Sequence, residues 1–111
     1  MFVVVFVTVP SLKVANSISK AILSKRLCAC VSITQDVHSF FWWQGRIDNA
    51  KERILIIKTK KSLFKRLARQ ITKLHPYDVP EIIAISLVGI NKDYAAWLKK
   101  EMAAEERSES V

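Results

Sequence analysis

CACVSITQDVHSFFWWQGRIDNAKERILIIKTK, residues 28–60, is the stretch on which the fold turns. Its apolar character breaks only near Gln44-Gly45, so it reads as one hairpin whose limbs hold about 14 residues and reach roughly 45 Å. Glycine supplies the positive φ of a tight hairpin, which favours a turn at Gln44-Gly45 over its competitor Asp48-Asn49. Register agrees. The first turn sets Val31 to Ile33 opposite Ile54 to Ile57, apolar against apolar, whereas the later turn pushes that pairing into the next helix. The polar residues 34–38 are expected to bend or bulge the first limb.

The neighbouring helix, expected over residues 12–26, spans only about 22 Å. Roughly half of the hairpin therefore has no helix of its own chain to cover it. That half carries Phe40, Phe41, Trp42 and Trp43, and such a patch on a lone subunit invites aggregation, so other copies of the chain are the expected cover. Alternation sends Trp42 and Trp43 to opposite sheet faces, one ring expected under a helix and the other at a subunit contact.

The flanks complete the pattern. Residues 2–9 are continuously hydrophobic and β-branched, a strand buried on both sides. Pro10 stops it, and Ser11 caps a helix with the stripe Val14, Ala15, Ile18, Ala21 and Ile22. After the core strand over 54–59, Ser62 is expected to cap a second helix with the stripe Leu63, Phe64, Leu67, Ile71 and Leu74, ended by Pro76 and Pro80. A strand over 82–88 and a short helix capped by Asn91, with Tyr94, Trp97 and Leu98 on one side, follow. Strand, helix, strand, strand, helix, strand predicts an α+β, ferredoxin-like split βαβ sandwich with a long extended hairpin and an added C-terminal helix. Residues 1–103 are expected to form one domain and 104–111 a polar, disordered tail.

Composition narrows the function. The chain has 111 residues, half of them apolar, two glycines and three prolines, which is globular and not disordered. No apolar run reaches membrane length, and residues 2–9 lack the basic start and cleavage site of a leader, so cytoplasmic residence is expected. Cys28 and Cys30 are expected to act as small buried hydrophobes. The net charge of +8 is uneven: seven basic residues and no acid lie between Lys58 and Lys73. Helical spacing spreads Lys60, Lys61, Lys65, Arg66, Arg69 and Lys73 around the solvent side without stacking aromatics, which argues against nucleic acid. No phosphate loop, carboxylate pair or nucleophile–base constellation is recognisable, so no turnover is expected.

Chemistry concentrates in Leu74-His75-Pro76-Tyr77-Asp78-Val79-Pro80-Glu81, where two prolines stiffen a loop bearing four titratable groups. The structural alternative has His75 capping helical carbonyls and Tyr77 packing.

From Phe2 to about Met102 the chain resembles the CutA divalent-cation-tolerance family. The match runs through Arg26-Leu27 with Cys30-Val31, Ser39 with Trp42-Trp43 and Gly45, Ile56-Ile57-Lys58-Thr59, His75-Pro76-Tyr77-Asp78-Val79-Pro80-Glu81-Ile82, and Asp93-Tyr94 with Trp97-Leu98. The resemblance implies a homotrimer, and the uncovered hairpin makes Phe40, Trp42 and Trp43 the expected subunit contacts. The resemblance also implies binding of copper(II) or another divalent cation and a role in heavy-metal tolerance. Where metal-binding members carry a thiol and paired imidazoles this chain has Val7 and Leu74, leaving His75 as the matching ligand, with Cys30, Asp78, Glu81 and His38 as further donors. Gln44 stands where an acid is common, and Cys28 where alanine is usual. Similarity to the PII signalling proteins implies an alternative, a small-ligand sensor whose intersubunit cleft would use Lys58, Tyr77 and Trp42.

Overall fold

A computed structural model describes residues 1–104. Its elements run β1 (Phe2–Val9), α1 (Leu12–Ser24), β2 (Cys30–Ile33), β3 (Val37–Trp43), β4 (Arg46–Lys60), α2 (Phe64–Leu74), β5 (Ile82–Ser86) and α3 (Lys92–Glu101). The sheet order is β2-β4-β1-β5, with β3 also on β4, and every pairing is antiparallel. The expected tail lies, from residue 105 on, outside the described residues.

The hairpin turns where its glycine predicts. Trp43 pairs with Arg46, and Gln44 and Gly45 take φ of 50° and 83°, the double left-handed turn that matches strand twist. Register follows, with Val31 opposite Ile57 and Ile33 opposite Leu55. The polar break splits the first limb into β2 and β3. Thr34 holds the break: its hydroxyl accepts from the Ile54 amide at 2.9 Å, its carbonyl accepts from Arg53 at 3.1 Å, and Arg53 reaches Asp36 at 3.3 Å.

Local chemistry explains the helix ends. Ser11 Oγ accepts from the Val14 amide at 3.2 Å and caps α1 as expected. That helix stops at Ser24, short of residue 26, because Arg26 turns left-handed at φ 55° and Leu27 N–H bonds back to the Ile22 carbonyl. Ser62 does not cap α2. It sits inside a 3₁₀ turn, Lys61–Leu63, that leads into the helix, and Leu63 occupies the cap position without a side-chain bond. Leu74 is likewise not in the buried stripe, being 40% exposed. Leu67, Ile71 and His75 are spaced by four, so the imidazole takes the inward position past the helix end and turns Leu74 outward. The last strand is shorter than expected, ending at Ser86.

Alternation gives the sheet two unlike faces. Val3, Val5, Val7 and Val9 are buried with Leu55 and Ile57 against Ala15, Ile18 and Ile22 of α1 and Leu67 and Ile71 of α2. Val4, Phe6, Ile54, Ile56, Ile83 and Ile85 point the other way. Among the described residues no helix lies over them: Ile83 and Ile85 are half exposed, and the others only half-buried. A smaller cluster of Leu63, Leu98 and Met102 closes one end of the sandwich, where buried Thr59 donates to the Leu27 carbonyl at 2.7 Å. α3 is tied there by Ala103 N–H to the Arg26 carbonyl and by the exposed Arg26–Glu101 ion pair.

Candidate functional site

The stiff loop after α2 is fastened to the root of the hairpin by His75, Tyr77 and Glu52. His75 is 92% shielded from solvent, and its two ring nitrogens have fixed roles. Nε2 lies 2.8 Å from the Thr8 carbonyl, which can only accept, so Nε2 carries the proton. Nδ1 lies 3.1 Å from the Tyr77 amide, which can only donate, so its lone pair is taken. The helical carbonyl of Ile71 is met by the His75 backbone and not by its ring, correcting the expected cap. Tyr77 packs tilted on the imidazole, centroids 4.8 Å apart, and donates its hydroxyl at 2.7 Å to Glu52, a buried carboxylate of β4.

That hydroxyl is pushed from 10.0 up to about 12, by burial first and then by the hydrogen bond and charge of Glu52. Its folded value exceeds its unfolded one, so the stability it lends is whole below pH 10 and drains away as pH rises to 12. Tyr77→Phe is expected to cost about 1 kcal/mol at neutral pH, screening by solvent included. The difference from wild type should shrink between pH 10 and 12 in urea titrations. A difference constant across that window would show that the Glu52 bond contributes nothing.

A second cluster sits at the opposite end of the sheet. Cys30 and Lys58 are direct cross-strand partners, with Nζ 4.0 Å from Sγ. Tyr94 of α3 joins them, its hydroxyl raised above its ordinary value by burial first and then by the adjacent Cys30. Buried Cys28 precedes β2, and burial, then the charge of Cys30, pushes its thiol up to about 12. Both cysteines are free.

The four donors singled out as metal ligands are not brought together within one chain. Cys30 is level with Val4 through Lys58, while His75 bonds Thr8, four residues along β1 or roughly 13 Å. Asp78 and Glu81 are exposed on the loop. His38 lies out on the hairpin, bonded to Asn49 at 3.2 Å. Among the described residues no group of three or more His, Cys, Asp or Glu side chains converges. Metal ligation needs a free lone pair, and His75 offers none while both bonds stand, so one subunit does not fit a resident metal. The cleft candidates are separate too. Tyr77 meets Glu52, six residues along β4 from Lys58 or roughly 20 Å, and Trp42 stands beyond both on the hairpin.

The hairpin aromatics are bare. Phe40 is 69% exposed, Trp42 73% and Trp43 51%, so among the described residues neither indole packs beneath a helix of its own chain, contrary to the expectation for one of them. β1 reaches β4 only as far as Arg53, so beyond it, among the described residues, the outer half of β4 is paired on one side alone, by β3. Sequence reasoning missed Glu52 because it sits in the charged run Lys51-Glu52-Arg53, which reads as a solvated face. It missed Thr8 because its contribution is a backbone carbonyl.

An antiparallel α+β sandwich with both helical crossings on one face defines the ferredoxin-like class. Residues 3–101 match the family described as CutA1 divalent ion tolerance protein. The divalent-cation tolerance protein CutA of Thermus thermophilus is 41% identical over 97 residues, 87% of this chain and 94% of that one. The chloroplastic protein CutA 1 of Oryza sativa is also 41% identical over 87% of this chain, which spans only 55% of the rice protein. Among solved structures, Cut A1 of Thermus thermophilus superposes with a TM-score of 0.91 at 40% identity, covering 93% of this chain and 100% of that one. CutA from Archaeoglobus fulgidus, described as periplasmic, gives 0.89 at 36% identity over 91% and 98% of the two chains. The chain belongs to the CutA1 divalent ion tolerance family.

Proposed function

We propose that this chain works as a homotrimeric, non-enzymatic and cytoplasmic divalent-ion tolerance protein, whose contact with copper(II) or another divalent cation depends on assembly. The observation that carries this reading is the uncovered sheet face. Val4, Phe6, Ile54, Ile56, Ile83 and Ile85 form a contiguous apolar surface, and the outer part of β4 beside it presents unpaired backbone groups. Both are satisfied by the same event, the docking of further copies, with Phe40, Trp42 and Trp43 at the contacts. Among the expected donors, exposed Asp78 and Glu81 and half-buried Cys30 are open to a metal contact shared between copies, whereas His75 is held by Thr8 and Tyr77.

Sedimentation velocity at micromolar concentration tests the assembly, and calorimetry with copper(II) and zinc(II) tests the metal. A trimer is expected, weakened by Trp42→Ala, with copper heat that scales with trimer and not with subunit. A stable monomer would remove the reading, as would copper binding that survives dissociation unchanged.

A further inference from the structure

We propose that Cys30 and Lys58 form a redox-sensitive covalent site, at which peroxide oxidises the thiol and a sulfur–nitrogen bond then joins the two side chains. The sulfur does not stand alone. Cys30 and Lys58 are direct cross-strand partners of β2 and β4, and the lysine donates to the sulfur, Nζ 4.0 Å from Sγ. Opposed residues of neighbouring strands hold their Cβ atoms about 5 Å apart, so the strand ladder itself keeps this amine beside this thiol. Tyr94 of α3 adds its hydroxyl as a second hydrogen-bonding neighbour of the sulfur. Three elements thus bring a nucleophile, an amine and a phenol to one place. All three side chains are half-buried, so Cys30 departs from the buried hydrophobe expected of it and stays open to a molecule the size of peroxide. Cys28 contrasts with it, being shut into the core on the helical side.

The chemistry balances with hydrogen peroxide as the oxidant. The thiolate attacks one peroxide oxygen, the O–O bond breaks, sulfur gives up two electrons, and the other oxygen leaves as water. The product is a sulfenic acid, which condenses with a neighbouring nucleophile, and the neighbour here is the Lys58 amine. After releasing its ammonium proton to solvent, the nitrogen attacks sulfur; the S–O bond breaks and the hydroxyl leaves as water with a second lysine proton. Thiol, amine and one peroxide thus give one sulfenamide and two waters. The flexible four-carbon stem of lysine lets Nζ close the remaining distance. Cys30 and Lys58 share the side of the sheet that carries Val4 and Ile56. The bridge uses the atoms of one subunit alone, so it does not depend on the reading of assembly and metal contact above.

Treating the purified full chain with hydrogen peroxide in metal-free buffer, followed by mass spectrometry, tests it. The intact mass should fall by two hydrogens, and trypsin should release residues 27–46 joined to residues 54–60, a pair that separates on adding dithiothreitol. Lys58→Arg keeps the positive charge but supplies no nucleophilic amine, so it should give no joined pair and leave a sulfenic acid that dimedone captures. Cys28→Ala should join as wild type does. A disulfide between Cys28 and Cys30 produces the same mass loss, yet it leaves the two peptides apart and survives Lys58→Arg; that outcome would overturn the proposal. Passage of the wild-type sulfur to sulfinic acid without joined peptides would also overturn it, as would a Cys30 that peroxide leaves untouched or that links two copies by a disulfide.

Discussion

Replacing His75 by alanine is expected to cost about 3 kcal/mol of folding stability in the absence of any metal. The ring fills the inward position after Leu67 and Ile71 and satisfies the Thr8 carbonyl and the Tyr77 amide at once. Its loss therefore removes packing and leaves two backbone groups without partners. Two polar variants separate these contributions. The Asn side chain of His75→Asn can accept from Tyr77 but falls short of Thr8, whereas that of His75→Gln can donate to Thr8, so each should recover part of the loss. Urea denaturation at fixed protein concentration reads all three. If the alanine variant is as stable as wild type in metal-free buffer, the imidazole is not a structural pin and its lone pairs are available for other work.

Phe6→Asp should have the larger effect on assembly. Phe6 lies at the middle of the uncovered sheet face, between Ile56 on β4 and Ile83 on β5. A carboxylate there does little harm to an isolated subunit, whose Phe6 is only half-buried, but enclosing an unpaired charge between copies costs several kcal/mol per site. The expected outcome is dissociation to a monomer with native-like far-ultraviolet circular dichroism, seen by sedimentation. Ala84→Asp on β5 offers the contrast, since it pairs with Val5 and faces the helical side. An assembled Phe6→Asp protein would place the interface elsewhere.

Much of the fold was legible because period-two and period-3.6 patterns are strong in this chain. The turn at Gln44-Gly45, the pairing of Val31 with Ile57 and the bend at Thr34 all follow from local chemistry and parity. Helix ends were harder. Ser62 looks like a cap, yet a 3₁₀ turn intervenes, and Leu74 looks buried until His75 displaces it. The candidate site was legible as a loop but not as a network. A histidine, tyrosine and two acids within seven residues suggest ligation, whereas the actual partners, Thr8 and Glu52, come from strands far away in sequence and contribute a carbonyl and a carboxylate that no motif marks.

The two-residue hairpin turn has a further consequence for how such chains can diverge. With only Gln44 and Gly45 between Trp43 and Arg46, inserting a single amino acid into either limb would invert the in-out order of every side chain beyond it. Phe40 and Trp42 would exchange sides with Phe41 and Trp43. Length variation in this ribbon is thus expected to arrive in even steps, or to be absorbed at the Thr34 bend, the place where parity is already broken.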